Sequence, residues 1–310
     1  MKIGFIYAGQ GSQHQGMGQD FYLNNKFCHD FLDQLSSSDF NFKKIMFEKN
    51  DLLNQTAYTQ PCMGAAAVMT THMLNEYNIY PDYVCGLSLG EYSALFASGV
   101  FDSDTLINTL KLRGWAMKTA AKNIDCEMQA ILGLDRSLLE EAVDEAASLG
   151  VVSITNYNCP GQLVISGERQ AVKKAAELAL EKGARKTVKL ATSGPFHTKL
   201  LLPASQVLHD YFKTITFKPM RVPVVFNTLG KEKENESIPE LLEKQVMSPV
   251  YFEDSIRYMI DQGVDTFIEI GPGKVLSGFV KKINRNVKIL QAEDMKSLEK
   301  CKEEIYGSDK

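Results

Sequence analysis

Ser88 lies between two glycines in Gly86-Leu87-Ser88-Leu89-Gly90, with the β-forming Tyr83-Val84-Cys85 before it and an Ala/Leu/Phe-rich stretch after it. This is a G-x-S-x-G nucleophile elbow in a strand-to-helix context. Two residues without Cβ let strand and helix approach closely, and the tight turn forces the serine into a strained backbone. Its hydroxyl then projects beside the open N–H groups of a helix start, an arrangement that can hold an acyl group and stabilise an oxyanion. A hydroxyl needs a base, and the chain offers five histidines. His29, His72 and His209 fall within expected helices and read as surface or packing residues. His14 stands in the first glycine loop. His197 ends the turn Ser193-Gly194-Pro195-Phe196-His197 just after a strand, and it follows the serine in the chain order usual for an elbow. His197 is therefore preferred to His14 as the base.

Arg113 is the first arginine of the chain and interrupts an otherwise apolar helix face. A buried guanidinium must be paired or face a cavity, and its planar fork suits a carboxylate. An acidic substrate and an internal Asp or Glu account for it equally well. The loop Gly9-Gln10-Gly11-Ser12-Gln13 has His14 where a dinucleotide fingerprint needs its third glycine. What remains is either a set of backbone N–H groups facing a ligand or oxyanion, or a tight structural turn.

The elements that must position these residues follow from periodicity. Residues 3–8 read as a buried strand, 20–35 as a packing helix, and 63–77 as a long apolar helix with Thr59 as a cap and Pro61 in its first turn. A helix over 104–121 carries Arg113. Between 122 and 192 the pattern changes to strands at 128–134, 151–156, 162–166 and 186–191 with helices at 137–148 and 171–181, a β-α-β-β-α-β order. Strands at 222–227 and 266–270 follow, and the tail from Ala292 is charged and helical at best. The expected fold is α/β: a large α/β-hydrolase-like domain with a parallel sheet (1–122 and 193–310) plus a small inserted ferredoxin-like domain (123–192).

The apolar share of 44%, the charged share of 23% and a net charge of -4 are those of a globular protein, with no electrostatic reason to expect nucleic acid or membrane binding. The six cysteines are scattered without a C-x-x-C pair or His at zinc-ligand spacing, so a reduced, cytoplasmic protein without a metal is expected. The run 3–8 is too short for a signal-peptide core or a membrane span.

Seven motifs stand in order: Gly9-Gln10-Gly11-Ser12-Gln13, Thr59-Gln60-Pro61, Gly86-Leu87-Ser88-Leu89-Gly90-Glu91-Tyr92-Ser93-Ala94, Arg113, Asn156-Tyr157-Asn158-Cys159-Pro160-Gly161-Gln162, Gly194-Pro195-Phe196-His197 and Glu269-Ile270-Gly271-Pro272-Gly273-Lys274-Val275-Leu276. Over residues 1–290 the chain resembles the malonyl-CoA:acyl carrier protein transacylase family of bacterial type II fatty acid synthesis. The resemblance implies a ping-pong transfer from malonyl-CoA to the phosphopantetheine thiol of acyl carrier protein, through a malonyl ester of Ser88 with His197 as general base. It implies an oxyanion hole from the backbone N–H groups of Gln10 and Leu89. Arg113 would hold the malonyl carboxylate, and the Gln245 backbone carbonyl would orient the histidine. Phe196, before the base, resembles the malonyl-type pattern and leaves little room for a 2-methyl branch. It implies no cofactor and a monomer. Leu87 departs from the usual His, which puts packing beneath the elbow and acyl selectivity in question; Ala8 in place of the usual Pro is a minor departure. Two basic clusters, Lys182 to Lys189 and Lys281-Lys282 with Arg285, are the natural contacts for an acidic carrier protein. A serine acylhydrolase or thioesterase would share Ser88 and His197 but has no use for Arg113. A trans-acting polyketide-type acyltransferase and a catalytically dead binding subunit are the other readings, the last supported only by Leu87.

Overall fold

The computed structural model describes residues 1–37, 40–192 and 194–307; Ser193, at the head of the expected turn, lies outside them. In chain order the strands are β1 (Ile3–Tyr7), β2 (Tyr83–Gly86), β3 (Cys126–Leu132), β4 (Val152–Cys159), β5 (Gln162–Glu168), β6 (Lys186–Lys189), β7 (Val224–Val225), β8 (Thr266–Ile270) and β9 (Lys288–Ala292). They make two sheets within a mixed α/β chain that forms two compact units.

The first unit comprises Met1–Gly114, Phe217–Val225 and Met259–Lys310. Its sheet runs β7-β2-β1-β8-β9, every pair parallel. β1, β2 and β8 are buried along their whole length, as continuous apolar runs in a parallel sheet should be. Parallel pairing brings all the strand ends to one edge, where Ala8, Leu87 and Gly271 continue β1, β2 and β8 into loops. The helix Thr56–Glu76 is buried on nearly every side. It begins earlier than its apolar pattern suggests: Thr59 does not cap it, its hydroxyl donating instead to the Leu53 and Gln55 carbonyls, and Pro61 lies inside. The expected helix over 20–35 is two, Gln19–Asn24 and Lys26–Leu35, because extended Asn25 breaks the chain and its side chain accepts from the Cys28 amide to cap the second. The expected strand over 222–227 shrinks to Val224–Val225, paired only with β2. The charged tail from Ala292 is helical, as expected, and follows directly on a last strand. β9 completes the sheet, and Met295–Tyr306 is a helix started by a capping box of Asp294 and Ser297.

The second unit comprises Trp115–Thr216 and Phe226–Tyr258, and so includes residues on both sides of 123–192. Its sheet runs β4-β5-β3-β6 with every pair antiparallel. The helices Arg136–Ala146 and Arg169–Glu181 each supply apolar residues to one core, including Leu139, Ala142, Val172 and Ala175, packed with Ile131, Ile154 and Ile165 of the strands.

Candidate active site

Ser88 is one of four non-glycine residues with positive φ among the described residues, at 56°. Such a backbone costs about 1–3 kcal/mol and persists only where the surroundings impose it. They do so through the flanking glycines. A Cβ on Gly86 would lie 2.0 Å from the Gly90 carbonyl carbon, and one on Gly90 would lie 2.2 Å from the Tyr7 carbonyl oxygen. No side chain fits at either position, so β1, β2 and the helix Gly90–Ala97 can approach only through glycine. The Leu87 amide donates to the Tyr7 carbonyl at 3.0 Å, extending the β2 to β1 pairing up to Ser88.

Arg113 approaches from the helix Ser103–Ala120 and is fully buried. Its Nη2 donates to Ser88 Oγ at 3.2 Å and its Nη1 to Gln60 Oε1 at 2.8 Å, while the guanidinium carbon lies 5.1 Å from the centre of the Tyr92 ring. Burial pushes the guanidinium below its ordinary range, opposed by Tyr92 and by the Glu91 carboxylate. Gln60, Glu91 and Tyr92 are themselves buried. Sequence reasoning does not single them out as site residues; the signal that finds them is a polar side chain embedded in an apolar helix, where it must have a partner.

The two amides assigned to the oxyanion hole sit at loop positions of this unit. Leu89 is the residue before the helix Gly90–Ala97, and Gln10 follows β1, its side chain donating to Thr56 Oγ1 at 3.1 Å. Neither backbone amide meets a protein acceptor among the described residues. Leu87 packs against this loop: a Cβ on Gly9 would lie 3.2 Å from Leu87 Cδ2. An apolar side chain at 87 therefore fills space under the Gly9-Gln10 turn. His14 is half exposed, with Nε2 3.6 Å from Glu293 and Nδ1 3.1 Å from the Gln15 carbonyl.

In the second unit, His197 is buried and also holds a left-handed backbone, at φ 60°. Its Nδ1 lies 2.8 Å from the Gln245 carbonyl and 3.2 Å from that of Ser248. Two acceptors fix a proton on Nδ1, leaving Nε2 as the lone-pair nitrogen a general base needs. The His197 amide donates to the Val246 carbonyl at 3.1 Å, and the Gln245 side chain donates to Asn227 Oδ1 at 3.4 Å. Phe196 is buried beside it, and a Cβ on Gly194 would lie 2.7 Å from the Phe196 ring and from Ala121. The remaining histidines pack on the surface: His29 stacks on Tyr22, His72 on Phe27, and His209 meets Glu243 at 3.0 Å. Among the described residues no group of three or more His, Cys, Asp or Glu could hold a metal ion.

A parallel-sheet enzyme with an elbow serine, beside which a buried cation waits, is an acyl-handling enzyme. The model of the acyl transferase domain family matches residues 4–302. A malonyl CoA-acyl carrier protein transacylase of Bacillus subtilis (strain 168) is 39% identical over 302 residues, covering 96% of this chain and 95% of its own. The crystal structure of a malonyl CoA-acyl carrier protein transacylase from Clostridium perfringens is 40% identical, with a TM-score of 0.95 over 98% of this chain and 97% of its own. A malonyl-transacylase solved in complex with its type II PKS acyl-carrier protein is 33% identical, with a TM-score of 0.93 over 98% of this chain and all of its own. The chain belongs to the acyl transferase family, among the malonyl CoA-acyl carrier protein transacylases.

Proposed function

We propose that the protein transfers the malonyl group of malonyl-CoA to the phosphopantetheine thiol of acyl carrier protein. The observation that carries this reading is the fully buried Arg113 donating to the nucleophile itself. A hydrolase acting on neutral acyl groups gains nothing from a desolvated cation there, whereas a malonyl ester of Ser88 brings a carboxylate to within reach of the fork. Ser88 Oγ attacks the thioester carbonyl while His197 Nε2 takes its proton. The tetrahedral oxyanion is held by the Gln10 and Leu89 amides, and its collapse expels the coenzyme A thiol, which receives the proton from His197. The carrier thiol then attacks the ester by the same steps in reverse, regenerating the Ser88 hydroxyl. The Gln245 carbonyl keeps the imidazole in the required tautomer, and Phe196 narrows the space beside the acyl group.

The strand order and antiparallel pairing of the second unit's sheet support reading residues 123–192 as a ferredoxin-like insert in a larger α/β-hydrolase-like domain. Carrier docking is assigned to exposed cations not already engaged. Lys182 is held by Glu141 and Glu145, and Lys189 meets Glu127, so among the described residues Arg185 and Lys186 are the part of that cluster left for a partner, with Lys281 and Arg285 in the other. All six cysteines are free thiols, which fits a reducing cytoplasm. No helix among the described residues is long and apolar enough to cross a membrane.

The test is incubation with malonyl-CoA followed by intact-mass measurement, then addition of holo acyl carrier protein. A malonyl adduct that maps to Ser88, disappears in Ser88→Ala and passes to the carrier is expected. Rapid hydrolysis with no malonyl-carrier would replace transfer by thioester hydrolysis.

A further inference from the structure

At the same edge of the parallel sheet, around the end of β9, the first unit contains a cavity of about 480 Å³, within the usual size range of small-molecule sites. β9 is the third neighbour of β2 in the sheet, so the cavity stands roughly 14 Å along the edge from the elbow at the usual strand spacing. Ile289, Leu290 and the Cys301 thiol give its lining an apolar part, and Lys274, Lys296 and Lys300 give it a cationic one. Two carboxylates also line it, each accepting a backbone amide and each still carrying its charge. Glu293 accepts from the Gly273 amide at 2.8 Å, and Asp294 accepts from the Ser297 amide at 2.7 Å. The three lysines have no carboxylate partner among the described residues.

Two helix starts also adjoin the cavity. Lys274 is the residue before the helix Val275–Ile283, and Lys296 lies in the first turn of Met295–Tyr306, so the positive ends of two helix dipoles meet at the cavity. The first-turn amides of both are taken, Leu276 and Ser277 by Glu269 and Ser297 by Asp294. An anion here is therefore held by ammonium groups rather than by a backbone nest. Lys296 and Lys300 are spaced i, i+4 and share one helix face.

We infer that this cavity binds a phosphate-bearing small molecule, its phosphate between Lys274, Lys296 and Lys300 and its organic part on Ile289 and Leu290. The phosphate comes either from the nucleotide end of a coenzyme A thioester or from a separate phosphorylated metabolite, and the inference does not depend on which acyl group is transferred.

Adenosine 3′,5′-bisphosphate and inorganic pyrophosphate are titrated calorimetrically into the full chain, into Lys296→Glu/Lys300→Glu and into the neutral Lys296→Gln/Lys300→Gln. Binding by the wild type, a loss of about tenfold or more on charge reversal and an intermediate loss on neutralisation are expected. Acylation of Ser88 by saturating malonyl-CoA stays unchanged, which shows that the variants are folded. A rise in KM for malonyl-CoA that parallels the loss of bisphosphate affinity assigns the phosphate to the thioester. An unchanged KM with the same loss assigns it to a separate metabolite. Absence of binding of both probes to the wild type, or equal binding by all three proteins, overturns the inference.

Discussion

Arg113 carries a positive charge with none of its surface open to water, and its fork donates to the Gln60 amide oxygen and to the Ser88 hydroxyl, beside Tyr92 and Glu91. Desolvating a guanidinium costs several kcal/mol, and neutral donors and acceptors repay only part of it. On the proposed function, a malonyl carboxylate adds a charged acceptor to this fork and an acetyl group does not. Arg113→Ala is expected to lower kcat/KM for malonyl-CoA far more than for acetyl-CoA, with the malonyl preference falling by about 3–5 kcal/mol, the usual size of breaking a buried ion pair. Equal losses for the two thioesters would show that the arginine supports the elbow and does not read the acyl group. Leu87 belongs to the same scale. Its contact with Gly9 gives it a packing role against the Gly9-Gln10 loop.

The element that places Arg113 is the helix Ser103–Ala120, and its start depends on Asp102. The Asp102 carboxylate accepts from the Thr105 amide at 2.9 Å and meets Lys218 at 3.0 Å. The Thr105 hydrogen bonds, with Lys218 adding to them, hold its pKa down at about 2. A depressed carboxylate pKa adds stability above the unfolded value, about 3.9, and that contribution disappears as pH falls through about 2. Asp102→Ala is expected to lower stability by about 1 kcal/mol at neutral pH, the ordinary worth of an N-cap, measured by urea unfolding. The difference between wild type and variant should close between pH of about 4 and about 2; a difference constant across that window would detach the effect from the carboxylate. Glu269 does related work at the end of β8. It receives the Leu276 and Ser277 amides and ties the Gly271-Pro272-Gly273 loop to the next helix. Burial pushes its carboxyl up, against those bonds.

Across the whole molecule the thiols report how thoroughly the chain is packed. Cys28, Cys62, Cys85, Cys159 and Cys301 are buried and only Cys126 is partly exposed. Burial drives the thiols up, Cys28 to about 12 and Cys301 to about 11, with Cys62 and Cys85 pushed in the same direction. A thiolate is the reactive species, so native protein treated with iodoacetamide near neutral pH should label Cys126 first and leave Cys85, directly before the elbow, untouched until denaturant is added. Fast native labelling of Cys85 in peptide mapping would mean that the β2 end opens readily.

Local chemistry determined much of this protein from sequence alone. Gly86 and Gly90 announce the elbow because no other residue fits there, and the strands at 3–8 and 266–270 are legible because a parallel sheet buries both faces and leaves an unbroken apolar run. The β-α-β-β-α-β order of 122–192 was likewise readable from alternating periods. Tertiary structure alone decided what Arg113 meets. On sequence grounds an internal carboxylate and a substrate were equal, and only packing brings Gln60 and Ser88 to its two ends, from segments about 25 to 53 residues away. It also decided the ring nitrogen left to His197, because carbonyls at 245 and 248 approach Nδ1 through a fold that no local pattern encodes. Propensity and periodicity act over a few residues. Pairing a buried charge or fixing a tautomer depends on groups far apart in the chain, so those answers appear only once the chain has closed on itself.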